Sequence, residues 1–212
     1  MKPDLLNPIY RKLFEAFGPQ HWWPGDSPFE VAIGAILTQN TNWSNVEKAM
    51  TNLKRERALS AKALHRMPVS HIAGLIRPAG YFNVKAKRLK NFIDFLHDEY
   101  RGSMTGMAAE PLPDIRNKLL SINGIGPETA DSIILYALEK PVFVIDAYTK
   151  RILSRHDIID HDQSYETFQE LFHTKLRKDV LLFNEYHALI VRLAKDFCRT
   201  EPRCNGCPLE RI

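Results

Sequence analysis

The sequence has little cysteine and no long apolar run, and each absence excludes a class of protein. Only 3 of its 212 residues are cysteine, which excludes a small scaffold held together by disulfides. No apolar stretch approaches the roughly 18 to 20 residues that a membrane-spanning helix requires. The first residues also lack the apolar run of a secretion signal. We therefore expect a cytoplasmic protein without a membrane anchor.

The composition shows no sign of disorder or of low complexity. Hydrophobic residues make up 44% of the chain, charged residues 25% and aromatic residues 10%, as in an ordinary globular protein with a substantial core. A length of 212 residues suits one large or two small domains. The net charge of +4 permits a polyanionic partner without requiring one.

Strand patterns are scarce, and apolar residues repeat with helical spacing along most of the chain. Phe29, Ile33, Ile36 and Leu37 recur at positions i, i+4, i+7 and i+8, as one face of a helix requires. The one continuous β-branched stretch, residues 141–145, has no alternating partner and is predicted to be an extended connector. We therefore expect an all-α protein.

A glycine-rich turn between two apolar helices is the most informative segment. The first helix is predicted to end at Ile122, and Pro127 stands where the first residue of a new helix tolerates proline. Gly124 and Gly126 allow a phosphate or another backbone to come close, and the N–H groups that begin the second helix attract anions. A tight corner between two helices would explain the same residues, so both interpretations stay open.

Asp146 follows the extended connector and is expected to cap the next helix. The helix dipole and the free N–H groups at that position favour an ionised carboxylate. A simple helix cap explains this residue as well as a catalytic role does.

Taken together, these motifs resemble the endonuclease III superfamily of DNA glycosylases. Residues 119–130 read Leu-x-x-Ile-x-Gly-Ile-Gly-x-x-Thr-Ala, like its helix-hairpin-helix, and residues 144–151 read Val-Ile-Asp-Ala-Tyr-Thr-x-Arg, like its catalytic-aspartate segment. Residues 28–41, residues 80–86 and the cysteine tail also follow the order of the family. The likeness covers most of the chain.

The resemblance implies an all-α, two-domain fold with a cleft between the domains. A central helical barrel would span residues 27–135, with the helix-hairpin-helix at about 116–138. Residues 1–26 and 136–212 would form the second domain, which carries a cysteine loop at 198–207. The family precedent is a monomer.

Members of this family turn a damaged nucleotide out of duplex DNA and cut its N-glycosidic bond. By resemblance, Gln39 and Tyr81 are wedges that fill the gap in the DNA. A surface residue at a helix end and a packing aromatic are the alternatives for these two positions. The hairpin would hold DNA phosphates, often with a monovalent cation on its carbonyl groups, through Asn123, Gly124, Ile125 and Gly126.

Asp146 matches the essential aspartate of the family, which stabilises the positive charge on the sugar and orients or deprotonates the attacking water. Members that also cut the strand carry a lysine at the position of Glu128, and a glutamate has no amine to form a Schiff base. The glutamate at position 128 therefore predicts a monofunctional enzyme, which removes the base without cutting the strand. Lys150 lies four residues beyond Asp146 in the following helix, which disfavours it as a substitute, although its flexible side chain keeps this alternative open.

All three tryptophans of the chain stand near segments of the expected base pocket. Trp22, Trp23 and Trp43, together with Glu128, resemble the 3-methyladenine glycosylases of the superfamily. An electron-rich indole attracts a positively charged alkylated purine by a cation–π interaction. The alternative is that two or all three tryptophans belong to the core.

The three cysteines crowd into the last residues of the chain. Cys198, Cys204 and Cys207 resemble the four-cysteine loop that binds a 4Fe–4S cluster in many relatives. The first interval is one residue shorter than usual, and the fourth cysteine would stand six positions after Cys207, where no residue is present. Either another residue such as His187 or solvent supplies the fourth ligand, or the loop folds without metal.

We therefore expect a monofunctional base excision repair glycosylase that acts on 3-methyladenine or another alkylated purine in double-stranded DNA. One alternative is an endonuclease III-type glycosylase and lyase for oxidised pyrimidines. Others are a glycosylase for thymine or uracil opposite guanine, and a DNA-binding module without catalysis.

Overall fold

The computed structural model of the protein describes residues 5–22 and 25–212, and within them every regular element is a helix. This confirms the predicted all-α fold. None of the described helices is both long and apolar enough to cross a membrane. The α-helices are α1 Leu6–Phe17, α2 Pro28–Leu37, α3 Trp43–Arg55, α4 Ala61–Arg66, α5 Val69–Leu75, α6 Phe82–Tyr100, α7 Met104–Ala108, α8 Leu112–Leu120, α9 Pro127–Ser132, α10 Ala147–Arg155, α11 Tyr165–Lys175 and α12 Val180–Asp196.

The chain divides into two compact units. The first is Gly25–Lys140, and the second combines the N-terminal residues with Pro141–Ile212. The first unit contains α2 to α9, and the second contains α1 and α10 to α12. Each unit has its own core and its own share of the candidate site residues.

In the unit Gly25–Lys140, the apolar helix α2 is central. The Ser27 side chain accepts a hydrogen bond from the Glu30 N–H and thereby caps the helix, with Pro28 as its first residue. From Val31 to Leu37 every residue of α2 is buried. The helix packs against α6 and against Ile133–Ala137, a buried π-helical turn that continues α9.

The hairpin between α8 and α9 differs slightly from the prediction. The helix α8 ends at Leu120 rather than Ile122, because the chain tightens into a turn in which the Ile125 N–H donates to Ile122 O at 3.0 Å. Pro127 is the first residue of α9, as predicted. Arg116 of α8 joins the two helices through its Nε, 2.7 Å from Oδ1 of the fully buried Asp131 of α9.

In the other unit, an aromatic core supports the start of α10. Residues 141–145 belong to no helix or strand, consistent with a connector, and Asp146, whose backbone is extended, caps α10. The Phe143 ring of this segment stacks on the Phe172 ring with centroids 3.6 Å apart. The helix α12 packs against both α10 and α1. The Tyr186 hydroxyl of α12 donates to Leu6 O at 2.8 Å, which attaches the N-terminal helix to this unit.

Candidate active site

The turn from Asn123 to Gly126, which is predicted to hold DNA phosphates, has a partly exposed backbone around a buried Ile125. Ile125 is buried and fixes the turn from inside, while Asn123 and Gly126 are exposed. Gly124 has φ +95°, and a Cβ there would collide with the Arg88 side chain, so this position requires glycine. The space beside Gly126 is open. The exposed backbone that leads into α9 is therefore accessible to an anion.

The carbonyl groups of the same turn are already hydrogen-bonded within the protein. Ile122 O accepts from the Ile125 N–H, Asn123 O accepts from Asn91 Nδ2 at 2.9 Å, and Gly124 O accepts from Gln39 Nε2 at 3.1 Å. A monovalent cation at the hairpin would have to share these oxygens. The cation therefore stays a prediction.

Gln39 lies against the hairpin, and both the nitrogen and the oxygen of its side-chain amide are hydrogen-bonded. Besides the bond to Gly124 O, its Nε2 donates to Thr129 Oγ1 at 2.9 Å, and its Oε1 accepts from Arg88 Nη1 at 2.5 Å. Entry of this side chain into DNA would require these bonds to break. The wedge role stays a prediction. Arg88 was not singled out from the sequence, because its contact with the hairpin depends on distant segments.

Tyr81 presents its ring to solvent at the start of α6. The side chain is 73% exposed, and its backbone is left-handed with φ 44°. This exposure argues against the alternative that Tyr81 is a packing residue. An exposed aromatic on a strained turn is available to a partner.

A buried lysine connects the segments that carry Gln39 and Tyr81. Lys85 Nζ donates to Leu37 O at 2.8 Å and to Ala79 O at 2.7 Å. Burial, reinforced by the nearby Arg88 charge, lowers the pKa of Lys85 to about 8. Lys85 therefore fixes both segments within the unit Gly25–Lys140.

Asp146 is a helix cap whose carboxylate remains available for chemistry. Its Oδ1 accepts from the Thr149 N–H at 2.7 Å and from Thr149 Oγ1 at 2.8 Å, and its Oδ2 lies 3.5 Å from His187 Nε2. Burial by itself raises the pKa of Asp146, but the nearby His187 imidazole and the two hydrogen bonds from Thr149 outweigh it and hold the pKa below its usual value. Asp146 therefore stays ionised at neutral pH.

His187 does not lie at the cysteine loop, so the suggestion that it supplies a fourth metal ligand is wrong. It belongs to the middle of α12, where its Nε2 lies 3.5 Å from Asp146 Oδ2 and its ring makes a T-shaped contact with Phe143. The histidine that borders the cysteines is His156, which follows α10. The sequence offered no signal for either placement, because both depend on how α10 and α12 pack.

A comparison with protein families identifies the group to which these features belong. Residues 33–178 match the model of the HhH-GPD superfamily base excision DNA repair proteins. The chain belongs to this superfamily. It is therefore a DNA glycosylase of the base excision repair class, as the helix-hairpin-helix and Asp146 predicted.

Individual members of the superfamily are similar over nearly the whole chain. A candidate DNA repair glycosylase of Methanocaldococcus jannaschii is 46% identical, covering 100% of this chain and 96% of the relative. The crystal structure of an H. pylori 3-methyladenine DNA glycosylase bound to 1,N6-ethenoadenine has a TM-score of 0.79 and 27% identity, covering 90% of this chain and 97% of the other. A non-covalent endonuclease III–DNA complex has a TM-score of 0.85 at 20% identity, covering 100% and 95%, and shows the fold alone.

Glu128 and Lys150 occupy different surroundings in this glycosylase. Glu128 is exposed in the first turn of α9, where a carboxylate interacts favourably with the helix dipole. Lys150 Nζ donates to Gln163 O at 3.0 Å and lies 5.0 Å from the centre of the Phe168 ring. These contacts hold Lys150 against α11 and the loop before it. The absence of a lysine nucleophile stays a prediction.

The two described tryptophans belong to different units. Trp22 is partly buried, with Lys195 Nζ of α12 5.9 Å from the centre of its ring. Trp43 is the first residue of α3 in the unit Gly25–Lys140, and its Nε1 donates to Glu47 Oε1 at 2.9 Å. Trp23 lies outside the described residues. A joint base pocket of these tryptophans stays a prediction.

The three cysteines border one cavity but do not form a ligand set. Cys198, Cys204 and Cys207 line a cavity of 320 Å³ together with His156. Cys198 is buried with Arg155 Nη1 3.4 Å from its sulfur, whereas Cys204 is exposed. Burial raises the pKa of the Cys207 thiol. Within residues 5–22 and 25–212, no three His, Cys, Asp or Glu side chains are grouped to hold a metal ion.

Arginines of α10 attach the cysteine loop to the unit without a metal. Arg151 Nε donates to Cys198 O at 2.8 Å, and Arg155 donates to Arg199 O at 2.5 Å and to Thr200 O at 2.8 Å. The start of this loop is therefore joined directly to the helix that Asp146 caps.

Proposed function

We propose that this glycosylase hydrolyses the N-glycosidic bond of alkylated purines, foremost 3-methyladenine, in double-stranded DNA and leaves the strand intact. The observation that carries the proposal is Glu128 in the first turn of α9, where the family resemblance places the lysine of strand-cutting members. The 27% identity to the H. pylori 3-methyladenine DNA glycosylase supports the choice of base.

Asp146 supplies the chemistry in this proposal. Cleavage of the glycosidic bond leaves positive charge on the sugar, and a fixed carboxylate beside C1′ stabilises that charge. An alkylated purine already carries a positive charge and departs readily, so the reaction needs little acid catalysis. Water then takes the place of the base. The low pKa of Asp146 suits the electrostatic part of this mechanism.

The unit Gly25–Lys140 supplies the contacts with DNA in the same proposal. Backbone N–H groups that lead into α9 bind phosphates and fix the position of the duplex, independently of its sequence. Tyr81 and Gln39 fill the space that the extruded nucleotide leaves. An aromatic wedge such as Tyr81 offsets part of the lost stacking, which amounts to a few kcal/mol.

The decisive test is release of bases from duplex DNA methylated with dimethyl sulfate. We expect the wild type to release 3-methyladenine or 7-methylguanine and Asp146→Asn to lose at least about a hundredfold in rate, since the variant has no negative charge beside the sugar. Abasic sites should become strand breaks only after alkali. Both proteins should bind undamaged duplex equally, which is the control for folding.

Other outcomes of this assay point to the alternatives. Breaks without alkali would indicate a glycosylase and lyase, and activity limited to thymine or uracil opposite guanine would indicate a mismatch enzyme. Binding of DNA without release of any base would indicate a module without catalysis.

The cysteine loop has no part in the proposed mechanism. The described thiols do not fit a 4Fe–4S cluster in their present arrangement, and no step depends on one. Iron analysis and absorbance near 400 nm of the purified protein test this point directly.

A further inference from the structure

A buried histidine faces the free side of the carboxylate on which the proposed function depends. The side chains of His187 and Asp146 are 6% and 13% exposed, and Nε2 lies 3.5 Å from Oδ2. Thr149 engages Oδ1 twice, through its N–H and its hydroxyl. One carboxylate oxygen is therefore held by its own helix, and the other is directed at α12.

We propose that His187 is a positioning residue for base excision. It orients Oδ2 of Asp146, so that the carboxylate acts as a fixed negative charge rather than as a proton acceptor. This inference rests on the proposed function, in which Asp146 is the catalytic carboxylate, and it identifies His187 as the residue that positions this carboxylate.

The surroundings of His187 hold its ring in place. The edge of the ring meets the Phe143 ring with centroids 6.3 Å apart and an angle of 82° between the planes. Phe143 is itself fixed, because its ring stacks on Phe172 and its N–H donates to His173 Nε2 at 3.0 Å. A ring packed in this way holds a constant distance to Asp146.

The charge balance around Asp146 favours the same role. Burial raises the pKa of this carboxyl, but His187 from α12 and Thr149 from α10 outweigh it, and the pKa lies below its ordinary value. The extended segment 141–145, which leads into Asp146, consists of apolar residues and brings no titratable side chain. A carboxylate with reduced proton affinity is a weak base but an effective partner for a developing positive charge.

The test compares four variants by two measurements. His187→Leu removes both ring nitrogens, His187→Gln keeps a donor that reaches Oδ2, and Asp146→Asn assigns the carboxyl signal. His173→Leu is the matched control, because His173 also supports Phe143, whereas the residue that faces Asp146 Oδ2 is His187. The measurements are the carbon-13 titration of the Asp146 carboxyl and the single-turnover release of methylated purines between about pH 5 and pH 8.

We expect His187→Leu to titrate Asp146 at a higher pH than the wild type does. Its excision rate should be about tenfold lower, because the polar group that faces Oδ2 at 3.5 Å is lost, and the loss should be largest at the acidic end, where the carboxyl becomes protonated. His187→Gln should recover most of the rate, and His173→Leu should keep the wild-type pH profile. The double variant of Asp146→Asn and His187→Leu should be no slower than Asp146→Asn alone.

An unchanged Asp146 titration in His187→Leu, with a pH profile parallel to that of the wild type, would overturn the inference. If His187→Leu does not fold, His187→Asn serves in its place, since its amide is too short to reach Oδ2. A shifted titration in a protein whose wild type releases no methylated base would support the coupling of the two residues and contradict the proposed substrate.

Discussion

At the scale of single residues, the proposed reaction type depends on whether an amine stands near the sugar. Glu128 offers none, and Lys150 is engaged by Gln163 O and the Phe168 ring. Asp146 remains as the charged group that the proposal assigns to the reaction. The difference between hydrolysis and strand cutting can therefore be tested at one position of α9.

Replacing Glu128 by lysine should introduce strand-cutting chemistry. The new amine can attack C1′ and form a Schiff base, which borohydride reduces to a stable protein–DNA adduct. We expect trapped adduct with Glu128→Lys on methylated duplex and none with the wild type or with Glu128→Gln. Denaturing gel electrophoresis after borohydride treatment measures the adduct. A trapped adduct with the wild type would contradict a hydrolytic mechanism.

At the scale of elements, the helix-hairpin-helix is held by contacts that are distant in sequence. Arg116 and the fully buried Asp131 join α8 to α9, and Gln39 and Arg88 contact the turn itself. These contacts order the turn, to which the proposed function assigns phosphate binding, before DNA arrives. An ordered turn loses less conformational entropy on binding.

Removal of Arg116 should destabilise the protein strongly. Arg116→Met leaves the Asp131 charge buried without its guanidinium partner, which typically costs about 3 to 5 kcal/mol. Arg177→Met is the matched control, because Arg177 is exposed and its pair with Asp179 should contribute less than about 1 kcal/mol. Urea unfolding at neutral pH measures both variants. Equal losses in the free energy of unfolding would contradict the prediction that the buried Arg116–Asp131 pair contributes more than the exposed Arg177–Asp179 pair.

At the scale of the whole molecule, the net charge of +4 and the exposed turn suit a polyanionic partner. Phosphate contacts through backbone N–H groups and basic side chains attract any duplex and carry no sequence information. Selectivity would then arise when the damaged base is extruded. Association with DNA and recognition of damage are therefore separable by experiment.

Binding to undamaged duplex should weaken as salt rises and should be indifferent to sequence. If about three phosphates are neutralised, the slope of log affinity against log salt is about −3. Fluorescence anisotropy with two unrelated duplexes between roughly 50 and 300 mM KCl measures this slope. An affinity independent of salt, or one that differs greatly between the two duplexes, would exclude the proposed mode of binding.

Several features could be predicted from short stretches of sequence because they depend on local geometry. Apolar spacing identified the helices, Pro127 marked the first residue of α9, and the extended residues before Asp146 placed it as the cap of α10. The sequence predicts that α8 ends at Ile122, two residues later than in the structure. Beyond Leu120 the chain leaves the helix for a turn, in which the Ile125 N–H donates to Ile122 O.

The sequence by itself determined the helical class, the hairpin, the cap at Asp146 and the absence of an amine at Glu128. Only the tertiary structure decided that His187 faces Asp146 rather than the cysteines and that Gln39 lies on the hairpin. It also decided that three adjacent thiols do not form a ligand set. The physical reason is that such contacts join residues far apart in the chain, 85 positions in the case of Gln39 and Gly124. Helix packing, which no local pattern encodes, brings these residues together.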